Sequence, residues 1–201
     1  MISIVRRCYL SLNSRLELIK PKITKKEFIH GKGLANEINF HIFDYDPEDE
    51  MAVREYVSYL KKDICAQNSD IKIVEIDLYK VIIECLKERN YLDKVFQMEK
   101  NKKSIFVTDP IKKFLRLTLS DDMVIKKICE RVDEKTSLIF LTGIGKAWPI
   151  IRSHSVLNNL HSKIERKPII MFFPGIYDEE LKLFSDMTGN NYYHGFKLIE
   201  R

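Results

Sequence analysis

The chain of 201 residues is long enough for one folded domain over residues 1–201, and 45% of its residues are hydrophobic, as in ordinary globular proteins. Its 34 lysines and arginines are interspersed with 29 acidic residues, so the net charge of +5 does not by itself indicate a nucleic-acid face. No signal peptide is recognisable, because Arg6 and Arg7 interrupt the first apolar stretch, and no apolar run reaches the roughly 18 residues of a membrane span. These features exclude a disordered chain and predict a cytoplasmic protein without a membrane segment.

The predicted elements begin with a helix over residues 1–20, where apolar side chains recur every three to four positions. The first strand is predicted over residues 38–45, which are rich in β-branched and aromatic side chains. A helix then begins at Asp46 and Pro47, because aspartate is a favourable cap and proline suits the first helical turn. A second strand, over residues 72–78, leads directly into another helix.

Residues 91–134 carry a helical pattern with breaks at Pro110 and Ser120, and they predict a helical excursion between the second and third strands. The remaining strands are predicted over residues 137–141, 168–173 and 192–199. Because strands alternate with helices, the crossovers should be right-handed and the strands parallel. We therefore expect an α/β fold with a mostly parallel central sheet of about five strands flanked by helices.

Nothing in the sequence indicates a metal site or a complete catalytic motif. The four cysteines lack the short Cys/His spacing of metal ligands and are predicted to be buried thiols: Cys8, Cys65, Cys85 and Cys129. Two carboxylate pairs, Asp44 with Asp46 and Asp121 with Asp122, are predicted to stabilise the amino ends of helices. We therefore expect a protein without cofactors that is not an enzyme.

The most informative stretch, residues 137–160, is a buried apolar strand followed by two glycines and a helix with Pro149 near its start. Ligands of open α/β sheets bind beyond the carboxyl ends of such strands, and four residues lie there: Thr142, Gly143, Gly145 and Lys146. The P-loop pattern is nevertheless not met, because Ala147 follows the lysine and Phe140 takes the place of the first glycine. Trp148 likewise stands where a dinucleotide fingerprint needs its third glycine. A tight strand-to-helix turn is the favoured interpretation.

The helix after this turn contains four polar residues of interest: Arg152, His154, Asn158 and Asn159. Arginine at such a position is typical of an ion pair, and no residue in the sequence identifies a partner that would make His154 a general base. Asparagine is a weak helix former, so the two asparagines are expected to hydrogen-bond a partner protein or a neighbouring loop.

A second loop is predicted over residues 173–178, at the same edge of the sheet. Its Gly175 permits a positive φ, and Asp178 is predicted to cap a helix over residues 179–187. Three further residues, Trp148, Tyr177 and Asp178, complete the set of candidate partner- or ligand-binding residues.

Several segments, taken in order along nearly the whole chain, resemble one family. They are 31–38 (GKGLANEI), 43–50 (FDYDPEDE), 75–78 (EIDL), 141–154 (LTGIGKAWPIIRSH), 157–160 (LNNL), 173–178 (FPGIYD) and 191–196 (NYYHGF). These segments resemble the BrxB family of bacteriophage exclusion (BREX) defence systems, once known only as a domain of unknown function.

The resemblance implies a role in antiviral defence, encoded beside a DNA methyltransferase, a large ATPase and a PglZ-type alkaline-phosphatase-like protein. It supplies no catalytic residues. The function it implies is that of a non-catalytic BREX component acting by protein–protein interaction, with the PglZ component as the first expected partner and other BREX components as further ones.

Two alternatives stay open. The first is a nucleotide- or nucleic-acid-binding module that uses the Gly143, Gly145 and Lys146 turn, together with the basic clusters at residues 20–26 and 100–103. The clusters themselves are more typical of solvated helix ends. The second alternative is an enzyme with an unrecognised site.

Overall fold

The computed structural model describes residues 10–30, 39–101, 105–161, 163–164, 167–178, 180–184 and 195–201. The strands in this part of the chain are β1 (Phe40–Tyr45), β2 (Lys72–Asp77), β3 (Thr136–Thr142), β4 (Ile169–Asp178), β5 (Glu180–Leu183) and β6 (Phe196–Lys197). The α-helices are α1 (Leu12–Glu17), α2 (Ile19–Ile23), α3 (Lys26–His30), α4 (Glu50–Gln67), α5 (Leu78–Glu88), α6 (Leu92–Asn101), α7 (Ile105–Leu115), α8 (Met123–Arg131), α9 (Ile144–Ala147) and α10 (Ser153–His161).

The strands form one sheet in the order β2-β3-β4-β1-β6, and β5 pairs with β4 at its side. All pairings along the main path are parallel, whereas β4 and β5 are antiparallel. Ile169 of β4 lies opposite Phe40 on one side and Ile139 on the other. The predicted fold, a mostly parallel sheet flanked by helices, is confirmed.

Helices cover both faces of the sheet. The residues of β4 alternate between the faces, so that Ile170 and Phe172 pack with α1, α2 and α4, while Met171 and Phe173 pack with α5 and α7–α10. On α4, an apolar stripe is buried against the sheet at Val53, Val57, Leu60 and Ile64. Burying each such side chain contributes about 1.5–3 kcal/mol to the free energy of unfolding. The apolar side chains packed on the two faces of the sheet therefore form the core.

Three helices, α6, α7 and α8, occupy the predicted helical excursion between β2 and β3. The break predicted at Pro110 is wrong, because this proline lies inside α7. The helix ends instead at Leu115, where Arg116 and Thr118 adopt positive φ angles of 55° and 68°. A β-branched residue rarely adopts that conformation, so the chain turns sharply at this point.

The N-terminal helix predicted over residues 1–20 is divided. Residues 1–9 lie outside the described residues, and α1 and α2 follow as two short helices, with Pro21 inside α2. The last predicted strand, 192–199, is represented by β6, and residues 192–194 are also outside the described part. Among the described residues, no helix is both long and apolar enough to cross a membrane.

The helix predicted over residues 179–187 is wrong. β4 continues through Pro174 and Gly175 to Asp178 and then returns as β5. Gly175 lies opposite Leu183, and a Cβ atom on it would stand 2.2 Å from the carbonyl oxygen of Lys182. Gly175 therefore allows β4 and β5 to pair closely within a hairpin, because a larger residue would clash with the backbone of β5.

The single helix predicted after the two-glycine turn is also wrong. α9 ends at Ala147, the Trp148–Pro149 peptide is cis, and α10 begins only at Ser153. Pro149 lacks the N–H that would continue a helix from α9.

The prediction for the cysteines is correct for Cys85, which is buried, and wrong for Cys65, which is exposed. Cys129 is partly buried, and Cys8 lies outside the described residues. Burial raises the pKa of the Cys85 thiol to about 11.

Candidate functional site at the carboxyl edge of the sheet

The parallel strands bring their carboxyl ends to one edge, where β1 and β2 each carry a buried aspartate. Asp44 lies near the end of β1 and Asp77 is the last residue of β2, while Thr142 ends β3. Ligands of open α/β sheets bind at this edge, so its side chains decide what the protein can do chemically.

The two-glycine turn after β3 is fitted to Asp77. Gly143 has a φ of 72°, and a Cβ atom added to it would stand 2.2 Å from Oδ1 of Asp77. That oxygen accepts hydrogen bonds from the backbone N–H groups of Tyr79 and Lys80 and thereby caps α5. Lys146 donates to the other carboxylate oxygen at 2.6 Å. The turn therefore holds a carboxylate where a phosphate cradle would hold an anion.

A crevice of about 180 Å³ opens between this turn and α4. The charged residues lining it are of both signs: Glu50, Arg54, Glu75, Asp77, Lys80 and Lys146. Glu50 accepts a hydrogen bond from the hydroxyl of Tyr45 at 2.6 Å and one from Arg54 at 2.9 Å. Burial, with the neighbouring Glu50, raises the pKa of Tyr45. Glu75 lies 3.6 Å from Lys61 and accepts a hydrogen bond from Thr142 at 3.5 Å.

Asp44 is enclosed by two arginines that sequence reasoning did not connect to it. Arg15 of α1 donates to one carboxylate oxygen at 2.8 Å, and Arg201 donates to the other at 3.0 Å. The backbone N–H of Tyr177 adds a third hydrogen bond at 3.2 Å. Burial lowers the pKa of the Arg15 guanidinium, and the facing carboxylate opposes that effect.

The helix-terminal role predicted for Asp44 is therefore wrong, and Asp46 stands at the predicted cap position without a capping hydrogen bond. Asp44 lies inside β1, and the side chain of Asp46 makes no capping hydrogen bond to the 3-10 helix Pro47–Asp49 that it precedes. It receives a hydrogen bond from Arg201 at 2.8 Å instead. Asp122 does cap α8, through bonds from Val124 and Ile125.

The hairpin holds four more of the predicted candidate residues in structural contacts. Trp148 meets Phe184 edge-on, with ring centroids 6.4 Å apart, and a Cβ on Gly145 would stand 3.1 Å from the same phenylalanine ring. The Tyr177 hydroxyl donates to the carbonyl of Gly195 and accepts from its N–H. Asp178 is exposed at the end of β4, paired with Glu180.

The candidates on and before α10 lie apart from the crevice. Arg152 and Asn159 line a separate groove of about 470 Å³ between α7, α8 and α10, and Asn158 is exposed. His154 lies in α10, but its side chain is outside the described part of the chain. The predicted candidates thus divide among the crevice, the hairpin and the groove, rather than forming one site.

Among the described residues, no three or more histidines, cysteines, aspartates or glutamates are grouped so that they could hold a metal ion. The residues that sequence reasoning missed at the edge are Glu50, Glu75, Asp77 and the two arginines on Asp44. The only available signal was positional, since Glu75 and Asp77 fall in the segment EIDL at the end of a strand.

Comparison with known proteins gives consistent matches. A family model described as "BREX protein BrxB" matches residues 74–198. A protein of Bacillus cereus (strain H3081.97) named BREX protein BrxB is 48% identical over 191 residues, covering 94% of this chain and 98% of its own length. A protein of the same name from Escherichia coli O9:H4 (strain HS) is 33% identical over 190 residues, covering 94% of this chain and 92% of its own length.

No solved structure matches the chain significantly. The two full-length relatives and the family match agree with the resemblance found in the sequence segments, and the chain therefore belongs to the BrxB family of BREX proteins.

Proposed function

We propose that this chain is a non-catalytic component of a BREX antiviral defence system and acts by binding another protein of that system. The PglZ-type component is the first expected partner. Membership of the system is supported by the relatives, which are named BREX proteins. The non-catalytic role is supported by how the chain uses the charged groups at the sheet edge.

The observation that carries the proposal is that the carboxylates at this edge have partners within the chain. Asp44 is held by two arginines and a backbone N–H, and Asp77 by Lys146 and the first turn of α5. A catalytic acid or base needs access to a substrate proton, whereas Asp44 is 1% exposed and Asp77 is 10% exposed. These groups are therefore best explained as fold-stabilising contacts.

The alternative of nucleotide binding has less support. Lys80 and Lys146 do line the crevice, but so do the carboxylates of Glu50, Glu75 and Asp77, which repel phosphates. The volume of about 180 Å³ is also below the range of roughly 300–1,000 Å³ usual for ligand pockets. Calorimetry with ATP and GTP, and DNA and RNA binding over a salt series, should give no signal.

Co-expression with the neighbouring PglZ-type protein, followed by size-exclusion chromatography, tests the interaction. We expect the two proteins to elute together at micromolar concentration. Separate elution would contradict the proposal.

The non-catalytic role has its own test in cells that carry the whole defence cluster. A double variant, Asp77→Asn with Lys146→Gln, removes both charges of this ion pair and keeps a capping side chain. Protection against phage, measured as plating efficiency, should persist if the variant is folded by circular dichroism. Loss of protection in a folded variant that still binds its partner would indicate chemistry at this edge.

A further inference from the structure

The groove beside α10 is an apolar feature of the described surface that the sheet edge does not explain. It lies between α7, the turn that follows it, α8 and residues 150–159, and its volume is about 470 Å³. Its lining includes four buried apolar side chains: Val124, Ile125, Ile151 and Val156. A pocket of this size and character can receive the apolar side chains of a ligand.

Apolar surface continues from the lining to the outside. Leu117 and Ile150 are partly buried, and Leu119 is 54% exposed. An exposed leucine beside an apolar pocket extends the surface on which a partner can bury apolar area.

The charged side chains that line the groove are mostly cations. Four cations line it: Lys112, Lys113, Arg116 and Arg152. The single carboxylate of the lining, Asp122, is buried and accepts hydrogen bonds from the backbone N–H groups of Thr118, Val124 and Ile125. Its charge is thus engaged with the backbone.

Two of the four cations form ion pairs with acidic residues outside the lining. Lys112 lies 3.8 Å from the largely exposed Asp109, and Arg116 lies 2.5 Å from the exposed Asp121. Lys113 and Arg152 have no acidic partner among the described residues. The groove therefore carries uncompensated positive charge from two separate segments, α7 and the residue before α10.

We propose that this groove binds an acidic amphipathic segment of a partner protein, with apolar side chains in the groove and carboxylates on Lys113 and Arg152. Unpaired cations on two separate segments match carboxylates spaced along a peptide better than a single small anion. No aromatic ring is among the described lining residues, so the groove lacks the stacking platform typical of single-stranded nucleic-acid sites. The inference rests on the proposed function and assigns that interaction a surface and a partner chemistry.

Site-specific photo-crosslinking identifies the occupant. The full chain, expressed in cells with the whole gene cluster, carries a photo-reactive amino acid in place of Leu119. The matched control carries it in place of Tyr59, which is 61% exposed on α4 at the opposite face of the sheet. The cross-linked peptides are then sequenced by mass spectrometry.

Charge reversal measures the contribution of the rim. The test variant is Lys113→Glu with Arg152→Glu, and the control is Lys25→Glu with Lys62→Glu, an equal charge change at exposed positions elsewhere. We expect the test variant to bind the purified partner roughly tenfold more weakly at low salt, and the control to stay within about twofold. Leu119→Ser, at an exposed position that should not disturb folding, should weaken binding without changing its salt dependence.

The proposal is supported if position 119 cross-links to a segment that combines several aspartates or glutamates with apolar residues. It is overturned if the cross-linked segment is basic or neutral, if nucleic acid or a second copy of this chain is captured, or if position 119 captures nothing. If the wild-type chain forms a complex and the Lys113→Glu/Arg152→Glu variant binds the same partner equally tightly, this inference alone is overturned. Failure of the wild-type chain to form any complex would overturn both this inference and the proposed function.

Discussion

Asp44 and Asp77 occupy comparable places at the ends of parallel strands, yet the chain surrounds them differently. Asp44 is 1% exposed and binds side chains from α1 and from Arg201, near the two ends of the described chain. Asp77 is 10% exposed and binds the helix that directly follows it and Lys146 on α9. The first carboxylate is sealed between two arginines, while the second caps a helix and pairs with a partly exposed lysine.

The difference teaches that a place at the carboxyl edge does not determine how a carboxylate is held. An ion pair sealed from water stabilises only if every partner is present, and removal of one partner leaves a buried charge. A capping carboxylate at a half-open edge is replaceable by other capping residues. The two sites therefore predict very different responses to the same substitution.

The largest effect is expected for Asp44→Asn. The asparagine leaves the buried Arg15 without its counter-charge, which should lower the free energy of unfolding by about 3–5 kcal/mol in urea denaturation. The matched control is Asp46→Asn, which removes an exposed partner of Arg201 and should cost under about 1 kcal/mol. Equal losses of stability in the two variants would show that the burial of Asp44 does not make its ion pair more important than that of Asp46.

Gly143→Ala should cost about 2–3 kcal/mol, because the alanine Cβ meets Asp77 and the residue has a positive φ. Gly145→Ala serves as control, since its nearest neighbours are side-chain atoms at 3.1 Å or more. In a double-mutant cycle, Asp77→Ala should relieve part of the cost of Gly143→Ala, which thermal or urea unfolding of the four proteins would measure. Strict additivity would mean that the turn is not fitted to the carboxylate.

His41 extends the comparison to a buried group without a counter-charge. It lies in β1, its Nδ1 has no hydrogen-bond partner among the described atoms, and burial together with nearby Lys22 lowers its pKa to about 4. Because the unfolded histidine titrates near 6.5, its proton is bound more tightly in the unfolded chain. The contribution of the neutral, buried His41 to stability is therefore fully present above pH 6.5, and it is lost as the pH falls toward 4.

Between pH 7 and pH 5 this effect should lower the free energy of unfolding by about 1–2 kcal/mol. His41→Gln, which cannot be protonated, should show a correspondingly smaller loss over the same range. Parallel urea titrations at the two pH values provide the measurement, and identical pH profiles for both proteins would contradict it.

The smallest effect is expected for Asp77→Asn, which makes the same aspartate-to-asparagine change at the second site as Asp44→Asn makes at the first. Asparagine remains a good cap for α5, and the lost pair with the one-third-exposed Lys146 is screened by solvent. The free energy of unfolding should change by less than about 1 kcal/mol, and the difference from the wild type should shrink further in high salt. A loss as large as that of Asp44→Asn would show that the two aspartates play equivalent roles.

Local patterns in the sequence predicted much of this arrangement. Alternating strand and helix patterns predicted the parallel sheet, and Asp122 was placed correctly at a helix start because a cap acts within three residues. The turn at Gly143 was likewise visible, since glycine after an apolar strand is a local signal.

Features that depend on distant residues were not predictable. Arg15 and Arg201 lie 29 and 157 positions from Asp44, and no periodicity connects them. The β4–β5 hairpin was missed because Pro174 and Gly175 resemble a loop, whereas pairing with β5 keeps them extended. The groove was missed because three separate helices build it.

The strand order has a consequence for synthesis on the ribosome. β1 is made early, but both of its neighbours, β4 and β6, come from near the other end of the chain. β2 and β3 can pair much sooner. A nascent or truncated chain that ends before β4 therefore presents β1, whose six residues are all buried in the finished sheet, with two open edges. Such chains should aggregate or require a chaperone until residues 169–178 have emerged.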